Sequence, residues 1–190
     1  MELLSYAASM ISTVLGLFEP FSKKMKTVLT INFLGNVLVG TSYLLISRYS
    51  GAVVCGTAAI QLLINYSFTA RGRKIPIALI FLHAAVFLAI NLMTFAEWYD
   101  VFALAAALLF VISVAQGSTK YYRLLYISNS LLWIVYDALA GAYGNLATHV
   151  ILFLATSAAI FFRDIHSKNG NVKSHQKNVG ARKKRAESTN

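Results

Sequence analysis

Seven stretches of about 16 to 21 mostly apolar residues follow one another from the start of the chain to about residue 163, separated by short polar joints. A stretch of that length matches the hydrocarbon thickness of a bilayer. The hydrophobic fraction is 57%, mean hydropathy is +0.62, and 13% of residues are charged. A water-soluble domain needs a polar outer surface, and these residues cannot supply one. The pattern predicts an all-α integral membrane bundle with spans at about 3–18, 27–46, 50–68, 75–95, 99–115, 121–140 and 144–162. Only Met1 and Glu2 precede the first apolar run, so no cleavable signal peptide is expected and the first helix should be retained.

The basic residues test the count of spans independently. Lys23, Lys24 and Lys26 lie between spans one and two, Arg71, Arg73 and Lys74 between three and four, and Lys120 and Arg123 between five and six. With Arg163 and the tail, 16 of the 17 Lys and Arg residues fall on one side, and only Arg48 falls opposite, where Glu2, Glu97 and Asp100 also lie. The positive-inside rule then places the N-terminus outside and the C-terminus in the cytoplasm, and an even number of spans would spoil the agreement. Residues 166–190 read as a disordered basic cytoplasmic tail attached to a membrane domain at 1–165. Its Arg182–Arg185 run is expected to attract anionic lipid, and no nucleic-acid partner is expected despite the net charge of +10.

A repeat underlies the spans. Adding 93 to the residue number carries Tyr6 to Tyr99, Asn36 to Asn129, Tyr43 to Tyr136 and Gly51 to Gly144. Apolar matches also occur, but Asn, Tyr and Gly are scarcer and carry the weight. The repeat pairs residues of about 3–68 with about 99–162 and leaves a linker helix at about 75–95. Three spans are odd in number, so the linker restores the orientation and the two copies become parallel about an axis along the membrane normal.

With the step Tyr43-Leu44-Leu45…Gly51, its partner Tyr136-Asp137-Ala138-Leu139-Ala140-Gly141…Gly144, and this 3+1+3 layout, the chain resembles the SWEET/PQ-loop superfamily. Within it, the likeness is to the YgjV-type bacterial inner membrane proteins. The Pro-Gln pair of PQ-loop proteins is absent; the corresponding places read Glu19-Pro20 and Ala115-Gln116. The resemblance implies a bacterial inner membrane location and passage of a small polar solute by alternating access.

Polar side chains inside spans need a partner or a wet cavity. Asn36, Gly40 and Tyr43 share one face of span two; Asn129, Trp133 and Tyr136 share the matching face of span six. Facing stripes would form a cavity in which Asn36 and Asn129 hydrogen-bond a solute while Tyr43, Trp133 and Tyr136 stack on it or close its outer side, with Gln61 and Asn65 as further lining. The alternatives are interhelical hydrogen bonding for the Asn pair, and packing or the interfacial aromatic belt for the Tyr pair. Asp137 either reaches water near a span end or, if buried, is a candidate for proton coupling; His83 and His149 are packing residues or weaker candidates. The single cysteine, Cys55, allows no disulfide and no multi-Cys metal site, and no cofactor is expected. Gly35, Gly40, Gly51, Gly56 and the Ala103–Ala107 run are expected to let helices approach closely. The chain contains no GxSxG, HExxH, Walker A or Rossmann glycine pattern, so it is not expected to be an enzyme. A scaffold or adaptor that does not transport is the competing class, and a homo-oligomer is open.

Overall fold

The computed structural model describes residues 2–165, with side chains through residue 162. Among these residues there are seven α-helices and no strand: α1 (Glu2–Gly16), α2 (Met25–Leu45), α3 (Tyr49–Ala70), α4 (Ile77–Thr94), α5 (Asp100–Val114), α6 (Thr119–Ala140) and α7 (Tyr143–Ala159), followed by a π-helical segment, Ile160–Ile165. Helix ends differ from the expected spans by up to three residues. The expected basic tail lies outside the described residues.

Helices stop where the backbone changes hand. Gly141 has φ +70°, and its turn lets the amides of both Gly141 and Ala142 bond the carbonyl of Asp137 before α7 begins. Ser47, at φ 58°, makes the equivalent turn after α2, where the amide of Arg48 bonds the carbonyl of Tyr43 at 2.9 Å. Both prolines sit outside helices: Pro20 in the α1–α2 connection and Pro76 just before α4, where a missing N–H is harmless.

The outside of the bundle is apolar, and its interior mixes small and aromatic apolar side chains with many polar ones. Leu3, Met10, Phe81 and Met93 are among the exposed side chains, whereas Ser9, Asn65, Ser113, Ser130 and Asp137 are buried. In water this distribution would forfeit the hydrophobic contribution to folding; in lipid it solvates every face suitably. Four helices (α2, α3, α4 and α7 with its π-helical extension) are long and apolar enough to cross a membrane. The others fall short for distinct reasons. Helices α1 and α5 have 15 residues each, a rise of about 22 Å, while α6 has ample length but turns Asn129, Ser130, Asp137 and Arg123 inward.

Helix α1 packs on α2 and α7, α2 on α3, α3 on α5, α5 on α6, and α6 on α7. Six helices therefore close a ring, and α4 leans on its outside against α3 and α5. Only His83, Phe87 and Asn91 of α4 are buried, a single stripe at four-residue spacing. Glycine sets the close approaches. A Cβ on Gly40 would lie 3.0 Å from the Cβ of Cys55, tightening α2 against α3, and one on Gly144 would lie 2.9 Å from the Tyr6 ring. Gly56 does not take part as expected, because open space surrounds its missing Cβ and it points away from the neighbouring helices.

Candidate functional site: a polar cavity between α2 and α6

Helices α2 and α6 stand on opposite sides of the ring, yet their side chains meet across its interior. Tyr43 of α2 donates its hydroxyl to Oδ1 of Asp137 on α6. Eleven residues earlier on α2, Asn32 donates to the hydroxyl of Tyr122 on α6 at 2.8 Å. The contacts fall in the same order along both helices, so α2 and α6 run parallel. Between the two ties lies a cavity of about 60 Å³ bordered by Ser12, Asn36, Asn129, Trp133 and His149, with Glu19 at the end nearest the α1–α2 connection.

Asn36 and Asn129 thus border one cavity from opposite walls. Each uses an N–H on a backbone carbonyl: Asn36 on Asn32 at 2.9 Å within its own helix, Asn129 on Ala106 of α5 at 2.6 Å. Among the described residues, their side-chain oxygens accept no hydrogen bond and remain acceptors for whatever fills the space. Asn129 consequently combines interhelical bonding with cavity lining.

The aromatic residues occupy a different place from an open stacking platform. Trp133 borders the cavity, but Tyr43 stacks on it at 5.9 Å and His149 stacks on it at 5.5 Å with an interplanar angle of 12°. Tyr43 and Tyr136 are fully buried behind the wall, and Tyr136 accepts the amide of Gly51 at 3.2 Å. The interfacial-belt reading of this pair is therefore corrected: exposed aromatics near helix ends are Tyr49, Trp98, Tyr121 and Tyr143. What Tyr43, Trp133 and Tyr136 form is a packed lid over one end of the cavity.

Asp137 does not reach water, since its side chain is 0% exposed. Besides the Tyr43 hydroxyl it holds Nδ1 of His149 at 2.6 Å, and His149 in turn borders the cavity. A carboxylate behind a cavity-facing imidazole fixes the ring's orientation. His83 stands apart: its two nitrogens have no hydrogen-bond partner, and it belongs to the α4 seam. Gln61 and Asn65 also lie outside the cavity lining. They are one turn apart on α3; Asn65 reaches the Val114 carbonyl of α5 at 3.5 Å, and both polar atoms of Gln61 are unpaired.

The sequence reading overlooked Glu19. It lies just before three lysines, yet it is 3% exposed and accepts the Tyr122 hydroxyl. Burial pushes its carboxyl up to about 7, against hydrogen bonds from Tyr122 and Asn32 that favour the ionised form. The one local signal was its setting among Leu17, Phe18, Pro20 and Phe21. Also unforeseen was the hydroxyl seam of α1, in which Ser9 bonds Asn145 of α7 at 2.6 Å and Ser42 of α2 at 2.9 Å, and Thr13 bonds Thr148 at 2.7 Å. Beyond that seam a second cavity, of about 350 Å³, opens beside Glu2, Ser5, Arg48 and Asn145.

An apolar exterior, long apolar helices and polar side chains turned inward define an integral membrane protein of the helical class. The chain matches the Imp-YgjV family, described as bacterial inner membrane protein, over residues 3–165. It belongs to that family, and its place is the bacterial inner membrane. No curated protein and no solved structure matches it.

The two kinds of buried polar residue should respond oppositely to replacement. Ser9→Ala leaves the Asn145 and Ser42 oxygens short of a partner, and should lower unfolding stability in detergent by about 1–3 kcal/mol. Gln61→Leu removes two unpaired amide atoms and should be neutral or stabilising in the same denaturation assay.

Proposed function

We propose that the protein is a PQ-loop/SWEET-like carrier, with no enzymatic activity, that passes a small polar solute across the inner membrane by alternating access between two three-helix halves. The observation that carries this reading is the interior cavity of mixed polar and apolar lining, with Asn36 and Asn129 on opposite walls and a tie across the ring at each end. In this 3+1+3 reading α1–α3 and α5–α7 are parallel repeats and α4 is the linker. Exchanging the halves turns the α3–α5 contact into the α7–α1 contact and leaves the order of helices around the ring unchanged, which supports the pairing.

The cavity's size and chemistry narrow the cargo. Its volume of about 60 Å³ has room for about four waters in the closed form. Sites for drug-sized ligands are about 300 Å³ or more, so the halves must part for a solute to enter. The exposed amide oxygens of Asn36 and Asn129, with the Glu19 carboxyl, favour a solute rich in donors, such as a small hydroxylated molecule. Trp133, stacked with Tyr43 and with His149, acts with Tyr43 and Tyr136 as a closure, and His149 with Asp137 is the weaker candidate for proton coupling at that end. Gln61, Asn65 and His83 serve helix packing in this account. The basic loops orient the bundle with its N-terminus outside, and the basic tail contacts anionic lipid.

Two experiments test this. In liposomes screened with sugars, nucleosides and vitamins, the protein should move at least one solute, and Asn36→Leu should reduce that flux at least tenfold without altering thermal stability. Absence of flux for all of them would favour the scaffold class. Reporters fused to the two termini should report opposite compartments, with the N-terminal one periplasmic; the same compartment for both would end the seven-span reading.

A further inference from the structure

We propose that Glu19 is a proton-binding site of this carrier, and that opening the cavity at the α1–α2 end releases the proton it holds. The inference rests on the carrier reading above and adds the coupling ion and the residue that binds it.

Three features point to Glu19. It lies at the end of the cavity closed by the Asn32–Tyr122 tie, and it is the terminal acceptor of that chain: Asn32 donates to Tyr122 and Tyr122 donates to Glu19. The closure joins elements of both halves, since Glu19 precedes α2 while Tyr122 belongs to α6. Arg123 reinforces it by donating to the Pro20 carbonyl at 3.1 Å, and Tyr126 stacks on Tyr122 at 5.3 Å. Parting α2 from α6 at this end therefore exposes Glu19 to water.

The titratable groups around Glu19 are Tyr122, Arg123 and Tyr126 of α6, and His149 of α7, which borders the same cavity. Helices α1 and α2 bring Ser12, Asn32 and Asn36, which do not titrate here. In the closed form burial holds the Glu19 carboxyl at about 7; in water it would return towards its ordinary 4.5. The closed form therefore binds the proton more tightly, and opening releases it wherever the pH lies between these values. The sign follows: acid favours the closed end, and raising the pH through this window favours the open end by up to about tenfold per pH unit. A proton taken up while this end is shut would be delivered to the cytoplasmic side when it opens.

Cys55, the sole cysteine, borders the cavity and serves as a native reporter. Inverted membrane vesicles and intact spheroplasts containing the full chain would be treated with a membrane-impermeant methanethiosulfonate reagent across about pH 4 to 8, values chosen to bracket the window of about 4.5 to 7. Thiolate formation affects wild type and variants alike, so the ratio of rates isolates Glu19. From the cytoplasmic face, the wild-type rate relative to Glu19→Gln should be near one at the acid end, climb with pH and level off above about 7. Tyr122→Phe, which removes a donor that favours the ionised form, should move the midpoint of the climb to higher pH; this variant tests the proposal even if Glu19→Gln does not fold. Labelling of Cys55 with identical pH profiles in wild type and both variants would overturn the proton site and leave the carrier reading standing. Cys55 unreactive from both faces at every pH would mean that the cavity does not open, overturning both.

Discussion

Of the three carboxyl groups buried among the described residues, Asp100 is capped by backbone amides at the start of α5, while Glu19 and Asp137 are each held by a tyrosine from across the ring. Everything else about the site depends on that constraint. A buried carboxyl group left without a partner, ionised or protonated, costs free energy in such surroundings, so the closed ring pairs Asp137 with Tyr43 and His149, and Glu19 with Tyr122. These bonds draw α2 and α6 together at two levels although the two helices are opposite in the ring. The space left between the levels is the cavity. Closure and cavity are thus one feature, made by placing polar groups where apolar packing would have filled the interior.

The peripheral elements follow from the same requirement. Helix α1 is short and rich in hydroxyls because it faces α2 and α7 through Ser5, Ser9 and Thr13. Helix α4 presents only one stripe inward and the rest of its surface to lipid. Gly40 and Gly144 bring neighbouring helices to distances that a side chain would forbid, which keeps the ring narrow enough for tyrosines to span it. The large apolar residues that would form the core of a soluble protein, such as Phe81 and Met93, face outward instead.

Much of the fold was legible because hydropathy and length respond directly to the bilayer. Seven helices and the polar stripes of α2 and α6, with Asn36 and Asn129 on them, can be read from spacing along single helices. Partners distant in sequence cannot. Nothing near Glu19 announces Tyr122, 103 residues away, and the adjacent lysines disguise its burial. Asp137 lay near a span end, where water is the ordinary neighbour; only the fold brings Tyr43 and His149 over it. Trp133 was legible as a deep aromatic, but a sequence does not tell whether a ring is free to stack on a solute, and here it stacks with Tyr43 and His149. Gly56 shows the same limit, since small residues permit close packing without specifying which of them is used.

The account's central claim is that tyrosine–carboxyl pairing across the ring holds the bundle closed. A double-mutant cycle on Tyr43→Phe and Asp137→Asn, read as unfolding free energy in detergent, measures that pairing most directly. The pair should couple by about 1.5–3 kcal/mol, the range for a buried hydrogen bond to a charged group. Additive single-variant effects, with no coupling beyond error, would contradict the claim.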